Sequence, residues 1–162
     1  IVILDPDNET LKRYEEGRER RRSLALRLAE LRDLPAITTD GVSISLGANI
    51  EFPHEVATCL ERGASGIGLY RTEFLYLSSD DEPSEEDHYA AYKQVVEAMQ
   101  GRPVIIRTLD LGADKMGSRP LTEPEPNPFL GLRSIRLSLK TPDLFRPQLR
   151  AILRAAVHGD VR

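Results

Sequence analysis

With 162 residues, 40% of them hydrophobic and 30% charged, the chain has the balance of a globular domain with a core, which excludes a largely disordered segment. A net charge of −4 gives nucleic acid or an acidic membrane no whole-chain attraction, and no apolar run approaches the roughly 20 residues of a membrane helix. Cys59 is the single cysteine, so no internal disulfide forms and a cytoplasmic protein is expected.

In chain order, the apolar run Ile1-Val2-Ile3-Leu4 reads as a strand, and Asp5-Pro6-Asp7-Asn8 as a turn with helix-start chemistry. A long helix is predicted from about Glu9 to Leu34. Its middle, Glu15 to Arg22, is nearly all charge, but Glu15, Glu16 and Glu19 are interleaved with the arginines, so it reads as a solvated linker helix. Leu24, Leu28 and Leu31 form an apolar stripe, and Leu34-Pro35 ends the helix.

From there the pattern becomes regular. Val42 to Leu46 alternates and continues to Ile50, which predicts a strand. Pro53 to Arg62 predicts a helix that stops at Gly63. Gly66 to Tyr70 is a buried strand. Ser84 and Asp87 make a capping box for a helix to about Met99, with Tyr89, Tyr92, Val95 and Met99 on one face. Val104 to Arg107 is the next strand. A proline-rich loop, roughly Gly112 to Pro128, leads to a short helix over Leu130 to Leu139. Thr141-Pro142 then starts a helix with Phe145, Leu149 and Ile152 as its stripe.

The order is β-α-β-α-β-α with short turns, which implies right-handed crossovers and a parallel sheet. About three βα units make less than half of an eight-unit barrel. Both ends look cut: Ile1 lies inside an apolar run, and His158 to Arg162 reads as a helix ending and another strand beginning. A piece of a longer protein is expected.

Two strands each deliver an Arg and a Thr where they should stop: Arg71-Thr72 after Gly66 to Tyr70, and Arg107-Thr108 after Val104 to Ile106. Barrel-type α/β proteins bind ligands at the carboxyl ends of strands, and permanently charged guanidiniums there suit an anion, a phosphate, a carboxylate or both. Neighbouring strand ends would bring Asn49, Arg71 and Arg107 together, with Glu73 and Asp110 orienting the arginines. The other reading is that both arginines simply form ion pairs with these acids at the rim. Lys115, in the turn Gly112-Ala113-Asp114-Lys115, reads equally as a phosphate contact or a solvated lysine, and Arg133 either reinforces the anion site or pairs with an acid. His54, His88 and His158 lack metal-ligand spacing and are expected at the surface or in packing, and Cys59 reads as a buried small hydrophobe. Gly66-Ile67-Gly68 lacks the spacing of a dinucleotide fingerprint, and no carboxylate pair makes a divalent-metal site.

The blocks Leu34-Pro35-Ala36-Ile37-Thr38, Ala48-Asn49-Ile50, Gly63 to Tyr76, Arg107 to Lys115, Asn127 to Arg133 and Leu149 to Ala155 closely resemble the phosphoenolpyruvate-binding barrel of enzyme I of the bacterial sugar phosphotransferase system. Pyruvate phosphate dikinase and phosphoenolpyruvate synthase share that barrel, but Tyr70 before Arg71 and Phe74-Leu75 after Glu73 look more like enzyme I. A non-catalytic regulatory or interaction module on the same barrel is a further alternative.

The resemblance implies an α/β fold, a partial TIM-type barrel of about three βα units preceded by a long linker helix. Residues 1–8 would end a phosphohistidine swivelling domain, 9–35 would be the linker helix, and 36–162 the N-terminal part of the barrel. It implies phosphoenolpyruvate as substrate, bound through Arg71 and Arg107, with Mg²⁺ held by ligands outside this chain. The phosphoryl group would pass to a histidine of the swivelling domain and on to the carrier protein HPr for sugar uptake, in a homodimeric parent, with no nucleic acid or membrane as partner. The phosphoacceptor motif is absent here, Cys59 does not match the family's acid cysteine, and Ala113 replaces a glycine common at that turn. The segment alone is therefore expected to be inactive.

Overall fold

The computed structural model describes residues 2–77, 81–111, 127 and 130–162. It divides into two compact units, Ile1–Ser43 and Ile44–Arg162. The predicted loop over Gly112 to Pro128 lies almost wholly outside the described residues.

In the first unit α1 spans Asn8–Leu31. Asp7 caps it, its Oδ1 accepting the Thr10 N–H at 2.7 Å, which holds the Asp7 carboxyl below its ordinary pKa. None of the α1 residues is buried within this unit, and Leu24, Leu28 and Leu31 are all exposed. No strand forms over Val2 to Leu4, contrary to the sequence reading, because a strand needs a paired neighbour and these residues have none among the described residues. The expected strand over Val42 to Leu46 is also absent. The chain instead makes a tight turn, Thr38 N–H to Val42 O at 2.9 Å with Gly41 at φ +88°, closed by an antiparallel bridge between Ile37 and Ser43.

In the second unit a three-stranded parallel sheet has the order β1 (Gly47–Ile50), β2 (Gly66–Tyr70), β3 (Val104–Ile106). Helix α2 (Glu55–Glu61) joins β1 to β2, and Gly63 at φ +83° ends that turn as expected. A short α3 (Phe74–Leu77), not foreseen in the sequence, follows β2. Helix α4 (Glu85–Ala98) opens with the predicted capping box, Ser84 and Asp87 each bonding the other's backbone N–H. After β3 come α5 (Ser134–Lys140), α6 (Pro142–Ala155) and a 3₁₀ turn over Ala156–His158. Asp160 to Arg162 then pair in parallel with β3, through Val104 N–H to Asp160 O at 2.8 Å and Ile106 N–H to Arg162 O at 2.9 Å.

The register contains one irregularity that matters. Ala48 faces Ile67 and Asn49 faces Leu69, so Gly68 is the extra residue of a bulge, and β3 likewise shows Val104 opposite Ile67 and Ile106 opposite Tyr70. Strict alternation would send Ile67 and Tyr70 to opposite faces. With the bulge both join the core of Ile50, Tyr92, Val95, Met99, Val104, Ile106, Ala151 and Ala155. A second cluster gathers Tyr76, Leu109, Leu111, Leu137 and Leu144.

The inward face of α6 is Leu144, Gln148, Ala151 and Ala155, one residue round from the Phe145, Leu149, Ile152 stripe expected from sequence. The small Ala151 and Ala155, both fully buried, let α6 lie close on the core, whereas Leu149 stays 38% exposed. Thr141 does not cap α6 with its side chain; its N–H closes α5 on Leu137 O at 2.9 Å.

The bulge brings backbone onto backbone: a Cβ on Gly47 would lie 2.9 Å from Gly68 Cα. Neither strand can move away without breaking the ladder. Gly47→Ala is expected to destabilise the second unit by about 1–3 kcal/mol. A urea titration would register this as a lower midpoint at unchanged slope.

Candidate functional site

The site is built at the carboxyl edge of the sheet. Ladder hydrogen bonds continue one residue past each strand: Arg71 N–H donates to Ile50 O at 2.9 Å, and Arg107 N–H to Tyr70 O at 3.1 Å. Glu51, Arg71 and Arg107 are therefore the first residues beyond three neighbouring strand ends. Both arginines expected from sequence are brought to one edge. Asn49 is not: it lies within β1 opposite Leu69, and among the described residues no hydrogen bond joins it to either arginine.

Each guanidinium is met by a carboxylate. Arg71 Nη2 donates to Glu51 Oε2 at 3.2 Å, and nearly half of the arginine side chain stays exposed. Glu51 is itself set in a turn whose backbone N–H groups, at Glu51 and Phe52, both donate to Glu55 Oε2, at 2.7 and 2.8 Å. These two bonds hold the Glu55 carboxyl below its ordinary pKa. Arg107 Nη2 donates to Glu73 Oε1 at 2.7 Å, and its Nη1 lies 3.5 Å from Asp110 Oδ2. Arg133 joins through Nε and Nη2, which donate to Asp110 Oδ1 at 3.1 and 3.0 Å. Glu73 Oε1 also accepts the Asp110 N–H at 3.2 Å.

The result is an alternating chain, Glu73–Arg107–Asp110–Arg133, beside a separate Glu51–Arg71 pair. Glu73 serves Arg107 and not the nearer-in-sequence Arg71, because the turn after β2 carries it across to the neighbouring strand end. Ion pairing and anion binding are compatible here. A guanidinium has five N–H donors, the Arg71 side chain is nearly half exposed, and Arg107 Nε is buried with no partner among the described residues. Lys115 lies outside the described residues.

Behind this edge runs a buried polar network. Thr72 Oγ1 donates to Arg107 O at 3.1 Å and accepts from Gln148 Nε2 at 3.0 Å. The other Gln148 N–H donates to Tyr92 OH at 3.1 Å, and Gln148 Oε1 accepts the Leu109 N–H at 2.9 Å. Tyr92 OH lies 3.0 Å from His88 Nδ1, and His88 Nε2 lies 3.1 Å from Tyr76 OH. Because Tyr92 accepts from Gln148, its own proton goes to His88 Nδ1, which leaves the imidazole proton on Nε2 facing Tyr76. His88 is thus a neutral packing residue, and burial brings its pKa down from 6.5 to about 4. His158 pairs with Tyr89 OH at 2.9 Å, and His54 stacks on Phe52. Cys59 packs against the core, which pushes its thiol pKa up.

The sequence reading missed Glu51 and Gln148. Gln148 had a visible signal, a polar residue four places after Leu144 and three before Ala151 on the face that turns inward. Glu51 had none, since its role depends on the register between β1 and β2.

The sequence profile of the family "PEP-utilising enzyme, PEP-binding domain" matches residues 26–162. The chain belongs to this family. Among curated relatives, phosphoenolpyruvate-protein phosphotransferase of Staphylococcus aureus (strain MSSA476) is 51% identical over 158 residues, 98% of this chain and 28% of the relative. Proteins of the same name from Staphylococcus carnosus (strain TM300) and Bacillus sp. (strain S) are 49% and 47% identical, over 98% and 99% of this chain and again 28% of the relative. The chain therefore spans under a third of the length of these relatives. Within the PEP-binding domain, no helix among the described residues is long and apolar enough to cross a membrane.

The neutral His88 gives this PEP-binding domain a definite pH dependence of stability. Above about pH 6.5 neither the native nor the unfolded imidazole is charged, and stability is at its full value. As pH falls from 6.5 toward about 4, the unfolded chain takes up a proton that the native state refuses, so stability declines, by about 3 kcal/mol in total. Urea denaturation at pH 7 and pH 4.5 is expected to show this decline in the wild type. In His88→Gln, which keeps a donor and an acceptor but does not titrate, the corresponding part should vanish.

Proposed function

We propose that this chain is part of a phosphoenolpyruvate-protein phosphotransferase, in which Arg71 and Arg107 bind the phosphoryl group of phosphoenolpyruvate. The observation that carries this reading is the pair of guanidiniums at adjacent strand ends, fixed by Arg71 N–H to Ile50 O and Arg107 N–H to Tyr70 O. The names of the relatives, at 47–51% identity across nearly the whole chain, support the same activity. The parallel β1-β2-β3 sheet, with Asp160 to Arg162 pairing onto β3, fits the first part of a TIM-type barrel. In this reading residues 1–8 end the swivelling domain, 9–35 form the linker helix, and 36–162 the barrel segment. The phosphoryl group passes to a histidine of the swivelling domain and then to HPr, in a cytoplasmic homodimer.

Phosphoryl transfer proceeds through a loose transition state with charge spread over the equatorial oxygens, so positioning and charge stabilisation do most of the work. Arg71 offers its open N–H groups to one oxygen while Glu51 holds the guanidinium from behind. Arg107, anchored by Glu73 and Asp110, meets a second oxygen at the neighbouring strand end. Rigid carboxylates fix each fork before the substrate arrives, which lowers the ordering cost of binding. Arg133 adds positive charge through its shared contact with Asp110.

The described carboxylates do not make a site for Mg²⁺. Glu51, Glu73 and Asp110 are all engaged by guanidiniums, and no group of three His, Cys, Asp or Glu among the described residues could hold a metal ion. Mg²⁺ bound in the longer polypeptide would need ligands other than these three carboxylates.

In the complete polypeptide carrying this segment, Arg71→Ala or Arg107→Ala is expected to lower phosphoryl transfer from phosphoenolpyruvate by about 10²-fold or more. The melting temperature should change little in Arg71→Ala, whose pair with Glu51 is half-exposed, and should fall more in Arg107→Ala, which leaves the nearly buried Glu73 carboxylate without its guanidinium. Transfer at wild-type rates in both variants would overturn the assignment. The 162-residue chain alone is expected to acquire no label from radioactive phosphoenolpyruvate, and stable labelling would contradict its reading as a binding segment without an acceptor.

A further inference from the structure

The side-chain amide of Gln148 is fully buried, and its three hydrogen bonds each lead to a different element. Its carbonyl takes the Leu109 N–H in the loop after β3. One N–H goes to Thr72 in the loop after β2, and the other to Tyr92 on α4. Of these, two grip the backbone around Arg107. Thr72 relays the amide to the Arg107 carbonyl at 3.1 Å, and Leu109, two residues further on, is held directly at 2.9 Å.

We propose that Gln148 is a positioning residue for Arg107, fixing the loop from which that guanidinium reaches the substrate. The inference rests on the phosphate-binding reading of Arg107 given above. Packing alone does not account for a glutamine at this place. Leu144, Ala151 and Ala155 on the same helix face are apolar, and an unsatisfied buried amide would cost more than a leucine. What the amide adds is direction. Thr72 has committed its hydroxyl proton to the Arg107 carbonyl, so Thr72 Oγ1 can only accept from Gln148. The Leu109 N–H can only donate to it. These two demands fix which end of the amide faces which loop, and no carboxylate or hydrocarbon meets both.

The consequence is angular control. The Arg107 backbone is tied at its N–H to Tyr70 O on β2 and at its C=O to Thr72, so the peptide planes on either side of the residue cannot rotate freely. Loss of the Gln148 bonds frees Thr72 to choose another partner and releases Leu109. The guanidinium then keeps its charge and its Glu73 contact but loses a fixed origin. Catalytic groups need placement within about 0.5 Å, and a 1 Å error costs on the order of 100-fold.

The test is a double-mutant cycle in the complete polypeptide, with phosphoenolpyruvate as the phosphoryl donor. Gln148→Leu is expected to lower kcat/KM about 10- to 100-fold in the wild-type background and to have no further effect on the residual rate of Arg107→Ala. Equal fractional losses in both backgrounds would mean that Gln148 only supports folding, and no loss in the wild-type background would mean that it does not act on Arg107; either overturns the proposal. Should Gln148→Leu fail to fold, Thr72→Val removes the relay while leaving the Leu109 and Tyr92 bonds, and the same cycle with Arg107→Ala decides the matter by the same criterion. Arg107→Ala on its own reports on the phosphate site, so a wild-type rate in that variant identifies failure of the site reading and not of the cycle.

Discussion

The register of the parallel ladder is the constraint on which the rest depends. Once Ile50, Tyr70 and Ile106 are level, the next residue of each strand is level too, and Glu51, Arg71 and Arg107 emerge side by side. The bulge at Gly68 makes that register compatible with a core. Were the same residues to run as a regular strand, Ile67 and Tyr70 would fall on opposite faces, and one of two large side chains would leave the cluster that α4 and α6 cover. The close approach of Gly47 and Gly68 is the local cost of this arrangement, and it explains why neither position carries a side chain.

Charge at the edge is arranged so that attraction serves geometry more than stability. The Glu51–Arg71 pair is half-exposed, and such pairs contribute about 0–1 kcal/mol to folding. The Glu73–Arg107 contact is better shielded, with the Glu73 side chain only 9% exposed. Three arginines and three acids leave the edge near neutral, so the fold does not have to contain a cluster of like charges. The same acids keep the forks pointed, while the Arg71 side chain stays nearly half exposed.

Beneath that charged edge the interior carries a polar network in a place where hydrocarbon would be cheaper. Its members, Thr72, His88, Tyr92 and Gln148, are each fully buried. It persists because Thr72, His88, Tyr92 and Gln148 are each hydrogen-bonded, and because the directions of donation are consistent from Leu109 through to Tyr76. Such a network ties the loops after two strands to two helices at once. A purely apolar contact has no preferred angle and could not do so.

The sequence by itself determined the secondary elements with strong local chemistry and the placement of Arg71 and Arg107 at two strand ends. Ser84 with Asp87, Gly63 after α2, the apolar runs of β2 and β3, and the long charged helix all announce themselves, because capping, left-handed turns and hydrophobic periodicity act within a few residues. The resemblance to the family was legible for the same reason, in blocks that include the strand ends. Only the tertiary structure decided which acid meets which arginine, that Asn49 stops short of the edge, that α6 turns Gln148 inward in place of Leu149, and that Val2 to Leu4 form no strand. Each of these depends on a partner distant in sequence, on a one-residue bulge or on a rotation of one helix. A local pattern carries no information about ladder register or about which of two adjacent faces finds the tighter fit.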